Sequence, residues 1–282
     1  MNSAIYKVIP FAVLSFAFIL ADSCSNSDDV LRTRDDEVIQ FGKMIGEIRK
    51  ANIVFVGESH GSERDHEIQL DVIKALHKAG AQLAIGTEMF RADSQKQLDE
   101  WTKGTFGLND FLKVYYNNWN MPWPLYEDIF IYARDNKIPI IGLNVPEEIT
   151  QKVSREGFSS LTDAEMKQLP PGISCNVDPT YMDFIRRAYS VHDKDEKSFV
   201  SFCEAQMIWD KSMAWHLTEF LKKNPDKTVV VLAGIGHSWK RGIPEQVKQL
   251  SRLSCMVVLP EVPEHASGAS ELAQDADYIM TE

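Results

Sequence analysis

Short apolar runs, each closed by small and ionisable residues, constrain this chain more than any other feature. Ile53-Val54-Phe55-Val56 leads into Gly57-Glu58-Ser59-His60, and Gln82 to Gly86 leads into Thr87-Glu88. Ile138 to Leu143 ends at Asn144, Thr228 to Leu232 leads into Ala233-Gly234-Ile235-Gly236-His237, and Cys255 to Leu259 makes the last run. Unbroken apolar strands of this length suit a sheet buried on both faces. Helical stretches fill the intervals. Ser62 has the placement of an N-cap, with Asp65 in the first turn, for a helix that stops at Gly80. Ser94 to Trp101, Pro124 to Asn136, Ser198 to Lys223 and Pro244 to Leu253 also read as helices. The alternation predicts an α/β fold, with a mostly parallel central sheet flanked by helices through right-handed crossovers. Asp36 to Lys50 reads as an amphipathic helix, Asp277 to Met280 as an edge strand, and residues 146–197 as a helical insertion broken at Pro170-Pro171-Gly172.

The chain opens differently. Lys7 precedes the apolar run Val8 to Ala21, which is shorter than the ~20 residues of a spanning helix. A basic start, a short apolar core and small residues after it describe a secretory signal over residues 1–23. The segment ends Leu20-Ala21-Asp22-Ser23-Cys24 before a polar stretch, and so resembles the bacterial lipobox, whose Cys is acylated. Leu sits four places before the Cys rather than three, and cleavage near Ala21 that leaves Cys24 a plain thiol is the alternative. Residues 24–35 then read as a tether and 36–282 as one α/β domain, exported and anchored to a membrane through Cys24. The formal net charge of −11 argues against a nucleic-acid partner, which needs a basic footprint. Cys175, Cys203 and Cys255 are widely spaced without a CxxC, which argues against a disulfide framework and a Cys-rich zinc site.

Ligands of open α/β sheets sit outside the carboxyl ends of the strands. Successive strands here send Glu58, His60, Glu88, Asn144 and His237 to that edge. Alone, each Glu reads as a solvated or capping residue and each His as a structural one. Their conjunction marks a site. Two carboxylates and two imidazoles serve general acid–base chemistry or hold a divalent metal, and sequence does not choose between these. Tyr115, Tyr116, Trp119, Trp123 and Tyr126 crowd an Asn- and Pro-rich stretch that does not look like a regular element. It reads equally as a core-capping loop or as an aromatic lid over the crevice. Gln206 and Asp210, one turn apart on the long helix, are candidate partners of the site residues. His66, His77, His192, His216 and His265 are assigned structural places.

Gly57-Glu58-Ser59-His60, Thr87-Glu88-Met89-Phe90, residues 133–146, residues 205–214 and residues 234–244 together resemble the ChaN-like haem-uptake lipoproteins. These belong to a superfamily that also holds the erythromycin esterases, TraB proteins and Tiki metalloproteases. The resemblance implies that Glu58, His60, Glu88 and His237 occupy the marked positions. In the haem-uptake branch it implies an outer-membrane-attached protein in which a dimer holds haem through a tyrosine, with His and basic contacts assisting. In the other branches it implies a hydrolase, with the same Glu and His positions carrying the reaction. The haem-binding pattern has a tyrosine shortly after the Gly-flanked His, whereas this chain has Ser238-Trp239-Lys240-Arg241. Tyr115, Tyr116 and Tyr126 are then the substitute tyrosines, and Lys240 and Arg241 are candidate partners for haem propionates.

Overall fold

Residues along a strand point alternately to its two faces, and in this chain both faces are covered. The computed structural model describes residues 29–189, 195–261 and 269–281; the signal segment and Cys24 lie outside the described residues. The strands are β1 (Asp29–Arg32), β2 (Glu37–Gln40), β3 (Ile53–Glu58), β4 (Leu83–Arg91), β5 (Ile140–Asn144), β6 (Thr228–Gly234), β7 (Cys255–Pro260) and β8 (Tyr278–Met280). They form one eight-stranded sheet in the order β2-β1-β8-β7-β3-β6-β4-β5. From β8 to β5 every pairing is parallel, while β1 runs antiparallel to β8 and β2 antiparallel to β1. The mostly parallel α/β sheet expected from the apolar runs is the one observed.

Val54, Val56, Ile85, Val230, Leu232 and Val258 bury on one face, against the helices Phe41–Ile48, Glu63–Lys78, Gln95–Lys103, Leu108–Asn118 and Glu127–Asp135. Ile53, Phe55, Ala84, Val229, Val231 and Val257 bury on the other, against Pro179–Tyr189, the long helix Glu196–Lys223 and Ile243–Leu250. Full burial stabilises each such side chain by roughly 1.5–3 kcal/mol, so the two layers fix where the strand ends lie. The helix after β3 begins as expected. Ser62 Oγ accepts from the Asp65 N–H at 3.2 Å, and Gly80 takes the left-handed φ of +82° just past the helix end. Residues 146–197 hold the helices Glu147–Glu156, Asp163–Met166 and Pro179–Tyr189.

Four expectations need correction. The polar stretch expected to be a tether contains β1, and the helix expected from Asp36 begins only at Phe41, after β2. The reason is Arg32, buried in β1, which bonds Asp35 at 2.8 Å, Glu47 at 2.7 Å and Glu37; its charge is neutralised, so a charged segment can join the sheet. The last strand is not an edge, because β8 lies between β7 and β1. The aromatic stretch is partly regular: Tyr115 and Tyr116 end the helix Leu108–Asn118, and Trp123 starts a short 3₁₀ turn.

Candidate functional site

Parallel neighbours present their carboxyl ends to one edge, which is how β3, β6 and β4 assemble the site. Glu58 ends β3 in register with Gly234, which ends β6. A Cβ on Gly234 would stand 3.0 Å from the His60 ring, so glycine lets that imidazole lie close across the strand end and any larger residue would make the ring shift. Glu58 is almost wholly buried. Its Oε1 accepts from His60 Nδ1 at 2.8 Å and from the Tyr126 hydroxyl at 2.5 Å, and His66 Nε2 lies 3.4 Å from its Oε2. Burial alone would push this carboxyl up, but the hydrogen bond from His60 and the pull of the His66 ring beside it outweigh burial and hold the pKa at about 2. The His60 ring feels the reverse. Burial acts to lower its pKa, and the Glu58 bond with the Glu88 charge raises it to about 9. Tyr126 is pushed above the ordinary phenol range by burial and by the Glu58 charge, so it stays a donor.

A second grouping repeats the pattern deeper inside. His237 Nδ1 donates to Asp210 Oδ1 at 2.6 Å, and the Tyr181 hydroxyl donates to Asp210 Oδ2 at 3.3 Å. Burial pushes Asp210 up, while Glu88 and Asp210 pull His237 up against its own burial. The pair therefore competes for one proton. With carboxylates on both sides of the ring, that proton resides on His237. Glu88 joins the two groupings: its Oε2 accepts from the Gly234 N–H at 2.7 Å, and its Oε1 lies 3.7 Å from His237 Nε2. Each imidazole also meets a tryptophan edge-on, His60 with Trp119 at 4.9 Å and His237 with Trp209 at 5.4 Å between centroids. A crevice of about 190 Å³ on the outer side of these tryptophans is lined by Met89, Arg91, Tyr116, Trp119, Asn144 and Trp209 among others; Glu58, His60, Glu88 and His237 lie behind its wall and do not line it.

The model of the family described as "Haem-binding uptake, Tiki superfamily, ChaN" matches residues 44–247. The chain belongs to that family. The fold agrees with a structure described as cofacial heme binding to ChaN of Campylobacter jejuni, at a TM-score of 0.70 and 21% identity over 90% of this chain and 96% of that one. An erythromycin esterase mutant in its open conformation matches at a TM-score of 0.50 and 13% identity, over 83% of this chain and 76% of that one. No curated protein sequence matches significantly.

Within this ChaN-family fold the other predicted residues divide. Asp210 joins His237 directly. Asn144 builds the crevice wall: its Nδ2 donates to the Glu88 carbonyl at 2.8 Å, and its Oδ1 accepts from the Val145 N–H and from Trp209 Nε1. Gln206 is buried, and its side-chain oxygen has no hydrogen-bond partner among the described residues. The aromatic residues do not act as one lid. Tyr115, Trp123 and Tyr126 are core residues, whereas Trp119 and the 54% exposed Tyr116 border the crevice. Lys240 pairs with Asp277 at 2.7 Å, and both it and Arg241 line a separate cleft rather than the crevice. Among the described residues no group of three or more His, Cys, Asp or Glu is disposed to hold a metal ion.

His66, expected to be structural, stands beside Glu58, and Tyr181 donates to Asp210. For His66 a signal existed, since the first turn of a helix that follows a strand sits beside that strand's end. Tyr181 lies in the insertion, where no motif marks it. His77 bonds the Tyr132 hydroxyl at 2.9 Å, apart from the site, and His192 and His265 lie outside the described residues.

Proposed function

We propose that this protein is a haem-binding component of iron uptake, held at the cell envelope by an acylated Cys24, with the porphyrin seated at the mouth of the strand-end crevice. The observation that carries the reading is the mouth itself: it is lined by the exposed Tyr116 and by Trp119 and Trp209, whose rings meet His60 and His237 edge-on. Family membership supports it, as does the cofacial heme of the Campylobacter ChaN structure. The crevice suits a ligand held against a face. At about 190 Å³ it is below the ~300 Å³ at which pockets begin to enclose a drug-sized ligand. A flat ring would lie over the opening, with its outer side covered by a second copy of the chain. His60, protonated at neutral pH, is suited to donate its free nitrogen to a propionate rather than to ligate iron. Tyr116 supplies the accessible phenol, and Arg91 is a second cation at the rim.

Hemin titration of the purified protein tests this. A saturable Soret shift with one haem per chain is expected, with dimers appearing in sedimentation as haem is added. Tyr116→Phe or His60→Gln should each weaken binding by about tenfold or more, on the order of 1.4 kcal/mol. A flat titration at micromolar protein sinks the haem reading, and an unacylated Cys24 by mass spectrometry sinks the anchor.

One observation favours a second reading, a hydrolase: His60 is oriented through Nδ1 by Glu58 while its other nitrogen has no hydrogen-bond partner among the described residues. With its pKa near 9, His60 could give a proton at pH 7 but take one only at higher pH. Ester turnover that rises through pH 9 and disappears in His60→Gln would establish it.

A further inference from the structure

A second cleft, of about 660 Å³, lies among the helix Ile243–Leu250, the long helix and the start of Pro179–Tyr189. It shares no lining residue with the crevice. We propose that this cleft is a ligand site in its own right, for a small polyhydroxylated carboxylate. Gln246 is the first reason. It is only 5% exposed and lines the cleft, yet its side-chain amide has no hydrogen-bond partner among the described residues. An amide that faces a cleft and both donates and accepts matches a hydroxyl.

Charge is the second reason. Arg241 lines the cleft and has no carboxylate partner among the described residues, and the Lys211 ammonium is held by the Ser174 carbonyl alone, at 2.6 Å. Lys240 is already neutralised by Asp277. Of the acids at the wall, Asp178 is engaged in capping the Tyr181 N–H at 2.8 Å, and Glu245 reaches toward Lys248 at 4.0 Å. The uncompensated cations can therefore take one carboxylate, and an Arg fork can hold it with two bonds. The third reason is the wall itself, which is amide, hydroxyl and charge apart from Met207, Ala273 and the Tyr181 ring. Such a lining suits hydroxyls and does not suit a porphyrin. The volume is within the ~300–1,000 Å³ range of small-molecule sites.

Calorimetry on the full protein, with gluconate as probe and acetate and sorbitol as controls, tests the site. Gluconate should bind saturably, and both controls at least about tenfold more weakly, since each lacks half of the recognised chemistry. Arg241→Gln, an exposed change that leaves the core intact, should weaken gluconate by about tenfold. Gln246→Leu should do the same, with its circular dichroism compared to the unaltered protein to show that it folds. No saturable gluconate binding would overturn the proposal, as would acetate binding as tightly as gluconate or unchanged affinity in Arg241→Gln. Displacement of gluconate by hemin would also overturn it, because the cleft would then belong to the porphyrin.

Discussion

Two groupings with the same parts sit side by side at the strand ends. In one, Tyr126 and His60 both donate to Glu58 and the imidazole meets Trp119; in the other, Tyr181 and His237 both donate to Asp210 and the imidazole meets Trp209. Burial separates them. The His60 side chain is 37% exposed and that of His237 only 4%. A histidine tied to a carboxylate at the surface is a charged handle for a ligand, whereas the same tie in the interior is a strut whose loss strands a buried charge. One architecture thus yields a contact and its foundation.

The largest effect should come from the inner grouping. Asp210→Ala removes the acceptor of His237 Nδ1 from the interior and should cost about 3–5 kcal/mol in urea unfolding; a loss below about 1 kcal/mol would mean that the inner pair is no strut. Next comes the acid limb of stability. The pKa of Glu58 is near 2 in the folded protein and about 4.3 in an unfolded chain, so its contribution is complete above the latter and lost as pH falls toward 2. That contribution is roughly 3 kcal/mol, and Glu58→Gln should flatten the limb. His60 works in the opposite sense. Its folded value is near 9 against about 6.5 unfolded, so its contribution is present below 6.5 and lost as pH rises through 9. An NMR titration of the ring checks this directly, and in Glu58→Gln its midpoint should move back toward the ordinary value. The tyrosines give a smaller contrast. Tyr126→Phe removes a 2.5 Å bond to a carboxylate and should cost about 1.5–3 kcal/mol, while Tyr181→Phe removes one of 3.3 Å and should cost under about 1 kcal/mol. The smallest effect belongs to His60→Gln at pH 6, because the ring is partly solvated and the Gln amide can still donate to Glu58. Equal losses from the two tyrosine variants would erase the distinction between outer and inner.

The parallel strands were legible because burial on both faces writes itself as an unbroken apolar run, as in Ile53 to Val56 and Thr228 to Leu232. Their ends were legible for the same reason, since a fixed strand direction places Glu58, Glu88 and His237 together. Asp210 could be read from its place on the long helix. The β1–β2 hairpin was not legible, because its inward charge at Arg32 is answered by Asp35, Glu37 and Glu47 across a turn and a helix, a partnership that hydrophobic patterning does not record. The aromatic stretch showed composition but not direction. Tyr115 and Tyr116 are adjacent in sequence, yet a helix turns about 100° per residue, which sends one into the core and the other into solvent.

The position of β8 also bears on the order in which the chain can assemble. Val30 pairs with Met280, so a strand at the beginning of the described chain takes its place beside one at the very end. During synthesis the β1–β2 hairpin is made long before β8, the strand that joins it to the rest of the sheet. Closing so distant a pair is entropically slow. The hairpin and β8 therefore act as a clasp that can fasten only once the strands and helices between them exist.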